Sequence, residues 1–179
     1  VLKVPMIVYD PSPQADTTRG SVEARFMSGI DIVPTVLDAL DLPPYSHIVE
    51  GVSVLPLLRG ETVAGWRDHV VSELDYSYRG ARLALGRQPG ECRGWMLRTA
   101  RWKYVHWLDY RPQLFDLVSD PDEFNDLGRD AAHEAVRLEL HGKLADWYGS
   151  LKQRVTADDS EVEQKTDRHK DAGIFFGVW

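Results

Sequence analysis

The chain has 179 residues, enough for one domain or one and a half with a buried core, and its 43% hydrophobic and 27% charged residues exclude a disordered polypeptide. A formal net charge of -7 argues against nonspecific binding to nucleic acid or to an anionic membrane, which requires a basic face. No apolar run approaches the roughly 18 to 20 residues of a spanning helix, and the lone Cys92 excludes an intrachain disulfide and favours a reducing, cytoplasmic compartment.

The first predicted element is Val4-Pro5-Met6-Ile7-Val8-Tyr9, a continuous apolar run stopped by Asp10-Pro11-Ser12-Pro13. Apolar on both faces, it predicts a strand buried inside a larger sheet whose other strands lie outside this sequence. Nothing in residues 1 to 8 has the form of a signal peptide. Residues 12 to 25 are polar and rich in Pro, Gly and Thr, which predicts a loop. Asp31 is an N-cap residue for a helix over 31–42, with Pro34 in the first turn, where its missing N–H costs little. Ile32, Val33, Val36, Leu37 and Leu40 share one helical stripe, and Pro43-Pro44 ends it. Residues 52–59 predict a short helix that packs Leu55 and Leu58 inward.

Val70 to Leu74 predicts a strand, followed by a long irregular arm from Asp75 to Gly94. A hairpin comes next: Trp95 to Thr99 and Lys103 to Trp107 flank a tight turn near Ala100-Arg101, and Gln113 to Leu117 adds a third run. Asp130 caps a helix that continues to about Val155, with Val136, Leu140, Leu144, Trp147, Tyr148 and Leu151 on one face. Residues 156 to 171 are charged and expected to be mobile or extended. The apolar ending from Ile174 to Trp179 is expected to dock on its own domain or on a neighbouring subunit. The fold class is therefore α+β: a small antiparallel sheet of about four strands packed on a long C-terminal helix, preceded by a strand and a helix belonging to a larger α/β domain. Boundaries are expected at 1–66, 67–155 and 156–179.

Five of these segments, in order, carry a family likeness. They are Val4 to Val8; Asp31-Ile32-Val33-Pro34-Thr35-Val36-Leu37; Glu50-Gly51-Val52-Ser53-Val54-Leu55-Pro56-Leu57-Leu58; Arg98-Thr99 to Tyr104; and Leu114-Phe115-Asp116-Leu117 with Asp120-Pro121-Asp122-Glu123. The order resembles the C-terminal subdomain of the sulfatase family, within the alkaline-phosphatase-like hydrolases. Glu73-Leu74-Asp75-Tyr76, Leu85-Gly86 and the Gly-x-Trp ending look most like the phosphonate monoester hydrolase branch. The resemblance implies metal-dependent hydrolysis of sulfate or phosphate/phosphonate esters, with a hydrated formylglycine as nucleophile and a divalent cation drawing charge from the oxyanion.

None of that machinery maps onto this sequence. The family nucleophile sits in Cys/Ser-x-Pro-x-Arg, whereas Cys92 precedes Arg93-Gly94-Trp95-Met96, which points to a structural thiol. Asp68-His69 looks like the family's metal-completing pair but follows Trp66-Arg67 and enters a strand; one carboxylate and one imidazole cannot hold a hard divalent ion. Asp120, Asp122, Glu123 and Asp126 lack the calcium-loop order, since Asn125 stands where Gly is required, and read as an acidic turn accepting backbone N–H groups. Gly51-Val52-Ser53 lacks the closing Gly of a nucleophile elbow, with Leu55 in its place. His47, His106, His133 and His141 have no identifiable partner set. Arg98, Arg101, Lys103 and Arg111 among Trp102, Tyr104, Trp107 and Tyr110 could stack nucleic acid, but the acidic loop is the expected partner of these cations.

No catalytic, cofactor-binding or metal-ligating residue is therefore assigned. The sequence reads as the non-catalytic C-terminal part of a sulfatase-like hydrolase, supplying packing surface, active-site wall and oligomer contacts. Metal and formylglycine are expected in the full-length parent. Its expected partners are a missing N-terminal catalytic domain and further copies of itself, without nucleic acid or membrane. A free-standing interaction module is the alternative, and pairing of residues 4–9 separates the two.

Overall fold

Alternating side chains between residues 69 and 116 build one antiparallel sheet whose strands follow sequence order: β1 (His69–Asp75), β2 (Arg93–Thr99), β3 (Trp102–Trp107) and β4 (Gln113–Asp116). The computed structural model describes residues 4–175. At the β2–β3 turn Arg98 pairs with Lys103, and Thr99 Oγ1 accepts the Trp102 N–H at 2.9 Å. Because successive strand residues point to opposite faces, the register sets one row across all four strands: Val71, Leu97, Tyr104 and Leu114. A long helix, Glu134–Ser150, lays Leu140 and Leu144 on that row. The sheet and helix make the α+β architecture that the sequence predicts.

Asp130 starts this helical region by accepting the Ala132 N–H at 2.9 Å, through a 3-10 turn at Ala131–His133. The helix stops at Ser150, short of the expected Val155, and Tyr148 is exposed rather than buried. The narrow sheet receives only Leu140 and Leu144 fully, with Val136 and Trp147 at their edges. On the opposite sheet face, Gly94 lies across from Trp107, and a Cβ at position 94 would come within 2.5 Å of the indole. The acidic turn holds itself: Asp120 accepts N–H groups of Phe124 (3.1 Å) and Asn125 (2.7 Å), and Asp126 accepts those of Leu114 (3.1 Å) and Gly128 (2.8 Å).

The chain divides into two compact units. One comprises Val22–Met27 and Val63–Ser150, with the Trp66 indole donating to the Phe26 carbonyl at 2.8 Å. The other contains, among the described residues, 4–21, 28–62 and 151–175.

In this second unit the sequence forms helices α1 (Ile32–Ala39) and α2 (Leu55–Leu58); those of the sheet unit are α3 (Gly80–Ala84) and α4 (the long Glu134–Ser150). Asp31, with no exposure, accepts the Ser28 N–H at 2.7 Å and the Val52 N–H at 2.9 Å. Thr35 donates to the Asp31 carbonyl at 2.6 Å and accepts the Val54 N–H at 3.0 Å. The Asp31-to-Leu37 motif is thus bonded to the Gly51-to-Leu58 motif through main-chain amides. Gly51 is required by closeness: a Cβ there would lie 2.1 Å from the Ile30 carbonyl oxygen. Val54, Leu55 and Leu57 are buried, so α2 turns Leu57 inward where Leu58 was expected.

Three further expectations are corrected. Residues 4–9 form no strand; they have no ladder partner among the described residues, and Ile7 is 93% exposed. A strand exists only by pairing, so apolarity alone could not make one here. The stripe on α1 is also uncovered, with Ile32, Val33, Val36 and Leu40 exposed while Pro34 and Thr35 face inward. Residues 156–171 fold into α5 (Asp159–Lys165) and α6 (Arg168–Asp171) rather than remaining extended. Asp158 caps α5 by accepting the Glu161 N–H at 2.8 Å, and Lys165 pairs with Glu161 one turn back. The expected docking of the apolar ending falls on Ile174 and Phe175, which are exposed, and on residues 176–179, which lie outside the described residues.

Candidate functional site

The residues that chemistry would need are committed to local structure. Cys92 is fully buried at the entrance to β2, its thiol donating to the Gln88 carbonyl at 3.3 Å. Both oxygens of Asp68 are taken, one by His69 Nδ1 at 2.6 Å and the other by Lys143 Nζ at 2.9 Å. Lys143 first, then His69, pulls the Asp68 carboxyl down to about 2. A carboxylate with both oxygens already engaged is a poor ligand for a hard cation. Among the described residues no group of three or more His, Cys, Asp and Glu side chains could hold a metal ion. Ser53 donates its hydroxyl to Asp38 and accepts the Leu55 N–H at 3.1 Å, a local turn bond rather than nucleophile geometry.

Two of the four basic hairpin residues, Arg101 and Lys103, point to carboxylates. Arg101 clasps Asp116 with Nε and Nη2 (3.2 and 2.8 Å to Oδ2) while lying over the Trp102 ring at 4.8 Å. That guanidinium holds the Asp116 carboxyl at about 2. Lys103 pairs with Glu123 of the acidic loop and sits over Phe115. The expected pairing with that loop therefore holds for Lys103, while Arg101 chooses the end of β4.

Two histidines meet between β3 and α4. His106 and His141 have ring centroids 5.0 Å apart, Trp95 stacks on His106 at 5.9 Å, and the Tyr104 hydroxyl lies 3.3 Å from His141 Nδ1. The Trp95 indole donates to Glu73 at 2.7 Å. Burial, and then the neighbouring His141, lowers the His106 pKa below its ordinary 6.5. The folded state therefore takes this proton less readily than the unfolded chain. The stability contribution is complete above about 6.5 and is lost as pH falls through the lower folded value. We expect the melting temperature to drop as pH falls below about 6.5, and His106→Gln to flatten that drop while leaving the acid transition of Asp68 and Asp116 below about pH 4. A thermal melt series against pH reads both windows.

One cleft is assembled that no motif announced. Tyr76, Arg79, Ala81, Leu85 and Arg87 of the arm face Trp107, Tyr110, Arg111 and Gln113 across a cavity of about 320 Å³. The arm is ordered by Arg82, whose Nε donates to the Ser77 carbonyl at 2.8 Å, and by the helical turn α3. Arg87 ties it to the β3–β4 connection, donating to the Asp109 carbonyl at 2.7 Å with the Asp109 carboxylate 3.7 Å away. The Trp107 indole donates to Gln113 Oε1 at 2.9 Å and meets the Tyr76 ring edge-on at 5.8 Å. The lining contains no Ser, Cys, His or carboxylate, so its chemistry is that of binding. Sequence reasoning missed it because its two walls are about thirty residues apart along the chain and share no spacing signal.

A four-stranded antiparallel sheet capped by one helix defines a compact α+β subdomain. The model of the family "N-sulphoglucosamine sulphohydrolase, C-terminal" matches residues 1–149, and the chain belongs to that family as a C-terminal portion of a sulfatase-family hydrolase. Among curated relatives, the multifunctional alkaline phosphatase superfamily protein PehA of Trinickia caryophylli is 27% identical over 150 residues, 81% of this chain and 28% of that protein. Arylsulfatase K of Homo sapiens is 33% identical over 132 residues, 69% of this chain and 22% of that protein. The crystal structure of the phosphonate monoester hydrolase of Agrobacterium radiobacter superposes with a TM-score of 0.66 at 36% identity, covering 72% of this chain and 26% of that one. The chain thus spans about a quarter of the length of these relatives.

Proposed function

We propose that this chain is the non-catalytic C-terminal part of a metal-dependent hydrolase of sulfate or phosphate/phosphonate esters, docked on an upstream α/β catalytic domain that carries the metal and the formylglycine. The uncovered apolar face of α1 supports this reading most directly. Ile32, Val33 and Val36 on this short helix, and Leu40 just past its end, are 51% to 62% exposed, while Pro34 and Thr35 are the buried positions. Such a face marks an interaction surface, and an upstream sheet is its partner in this reading. Residues 4–9 support it as well: a free-standing module would pair that apolar run internally, and here it is unpaired. The cleft-bearing arm from residue 75 to 94 contributes to the active-site wall, and further copies of the chain are additional partners.

The test compares the full-length parent with the 179-residue chain. Alone, this chain should turn over neither aryl sulfates nor phosphodiesters in added manganese or zinc. Ile32→Glu with Val36→Glu should leave its melting unchanged within about 0.5 kcal/mol, because both side chains are exposed. The same double substitution in the full-length enzyme should abolish soluble, protease-resistant, active protein. Full activity and protease resistance in that variant would refute the docking assignment.

A further inference from the structure

We infer that the cleft between the arm and the β3–β4 connection is a binding site for a small molecule made of a flat ring bearing an anionic group. This inference stands apart from the proposed docking on an upstream domain. The cleft lies wholly within the sheet unit.

Its floor is ordered before any ligand arrives. Trp107 is fixed by the Gln113 hydrogen bond, by close packing over Gly94 and by the edge of Tyr76. An aromatic side chain locked this way offers a ring face at little entropic cost. Leu85 extends the apolar wall.

The rim carries charge of one sign. Arg79 and Arg111 make no ion pair among the described residues, and Arg111 lies over Tyr110 at 5.7 Å. Arg87 is the third cation there, but it is occupied with Asp109. In a chain whose net charge is -7, two uncompensated guanidiniums beside one aromatic floor create a local positive field against the overall trend. A guanidinium fork pairs with oxyanions in two-point geometry, while the indole beside it stacks on a planar ring. Inorganic anions would leave the apolar wall wetted, and a neutral ring would leave the forks without an acceptor. A volume of about 320 Å³ fits one small molecule and is too small for a folded element of another protein.

Calorimetric titration of the 179-residue chain with 2-naphthalenesulfonate, inorganic sulfate and 2-naphthol tests this directly. The sulfonate should bind one to one, at least about tenfold tighter than either of the other two, since one charge-assisted pair is of that size. Arg79→Glu and Arg111→Glu, both at exposed positions, should each weaken the sulfonate by about tenfold or more without moving the melting temperature. Trp107→Leu should abolish binding of the sulfonate; because that change could also disturb the sheet, the two arginine variants decide the matter. Equal affinity for the sulfonate and 2-naphthol, no binding at millimolar sulfonate, or unaltered affinity in the Arg79→Glu/Arg111→Glu double variant would overturn the assignment.

Discussion

Asp31→Ala should lower the stability of the α1-containing unit by about 2 to 3 kcal/mol, because it removes the buried carboxylate that accepts two part-buried N–H groups at once. The carboxylate has no exposure and accepts from Ser28 on one side and Val52 on the other. Alanine offers neither bond and leaves little room for a replacing water. Asp31→Asn keeps the volume but has only one acceptor oxygen, so it should lose roughly half as much. Amide hydrogen exchange is the sharper measurement: Ser28 and Val52 should exchange early in the alanine variant, while Val54, still bonded to Thr35 Oγ1, should lag behind them. Unchanged exchange at Val52 would show that the joint is held by something else. The result bears on function too, because an Asp-x-x-Pro-Thr motif invites a catalytic reading that this geometry replaces with a structural one.

The second large effect belongs to the sheet unit. Leu140→Ala should destabilise it by about 3 kcal/mol, within the 2 to 5 usual for a buried leucine. Leu140 is 1% exposed and packs with Leu97, Tyr104, Leu114 and Leu144. The helix has only two fully buried side chains, so losing one removes half of its deepest anchorage. Leu138→Ala, on the same helix but 65% exposed, should stay within about 0.5 kcal/mol. Urea denaturation of the pair separates packing from helix propensity, which is similar for both exchanges. Equal losses at 138 and 140 would mean that α4 does not rest on the sheet through this row.

The sheet was legible in the sequence because its side chains alternate with period two and its turn chemistry is local. Trp95 to Thr99 and Lys103 to Trp107 declare a hairpin without outside help, and Asp130 declares a helix start. What failed to show was whatever depends on a partner. The run Val4 to Tyr9 and the stripe on α1 are apolar, yet burial requires something to cover them, and among the described residues nothing does. The α5 helix was hidden for another reason: Val162 is its only apolar residue, so no hydrophobic period marks it and the Asp158 cap stands alone. The cleft was invisible because its walls come from separate segments joined by Arg87 and Asp109, an ion pair without sequence periodicity.

Asp31 and Thr35 reach past the side chains of residues 52 and 54 to the peptide groups beneath them. Recognition of this kind is blind to what the gripped residue carries. Val52, half exposed, can therefore drift widely in evolution without loosening the α1 joint, whereas Gly51 next to it has no such freedom. Sequence variation in this stretch should accordingly concentrate at position 52 and spare 51, a pattern set by peptide geometry rather than by catalytic need.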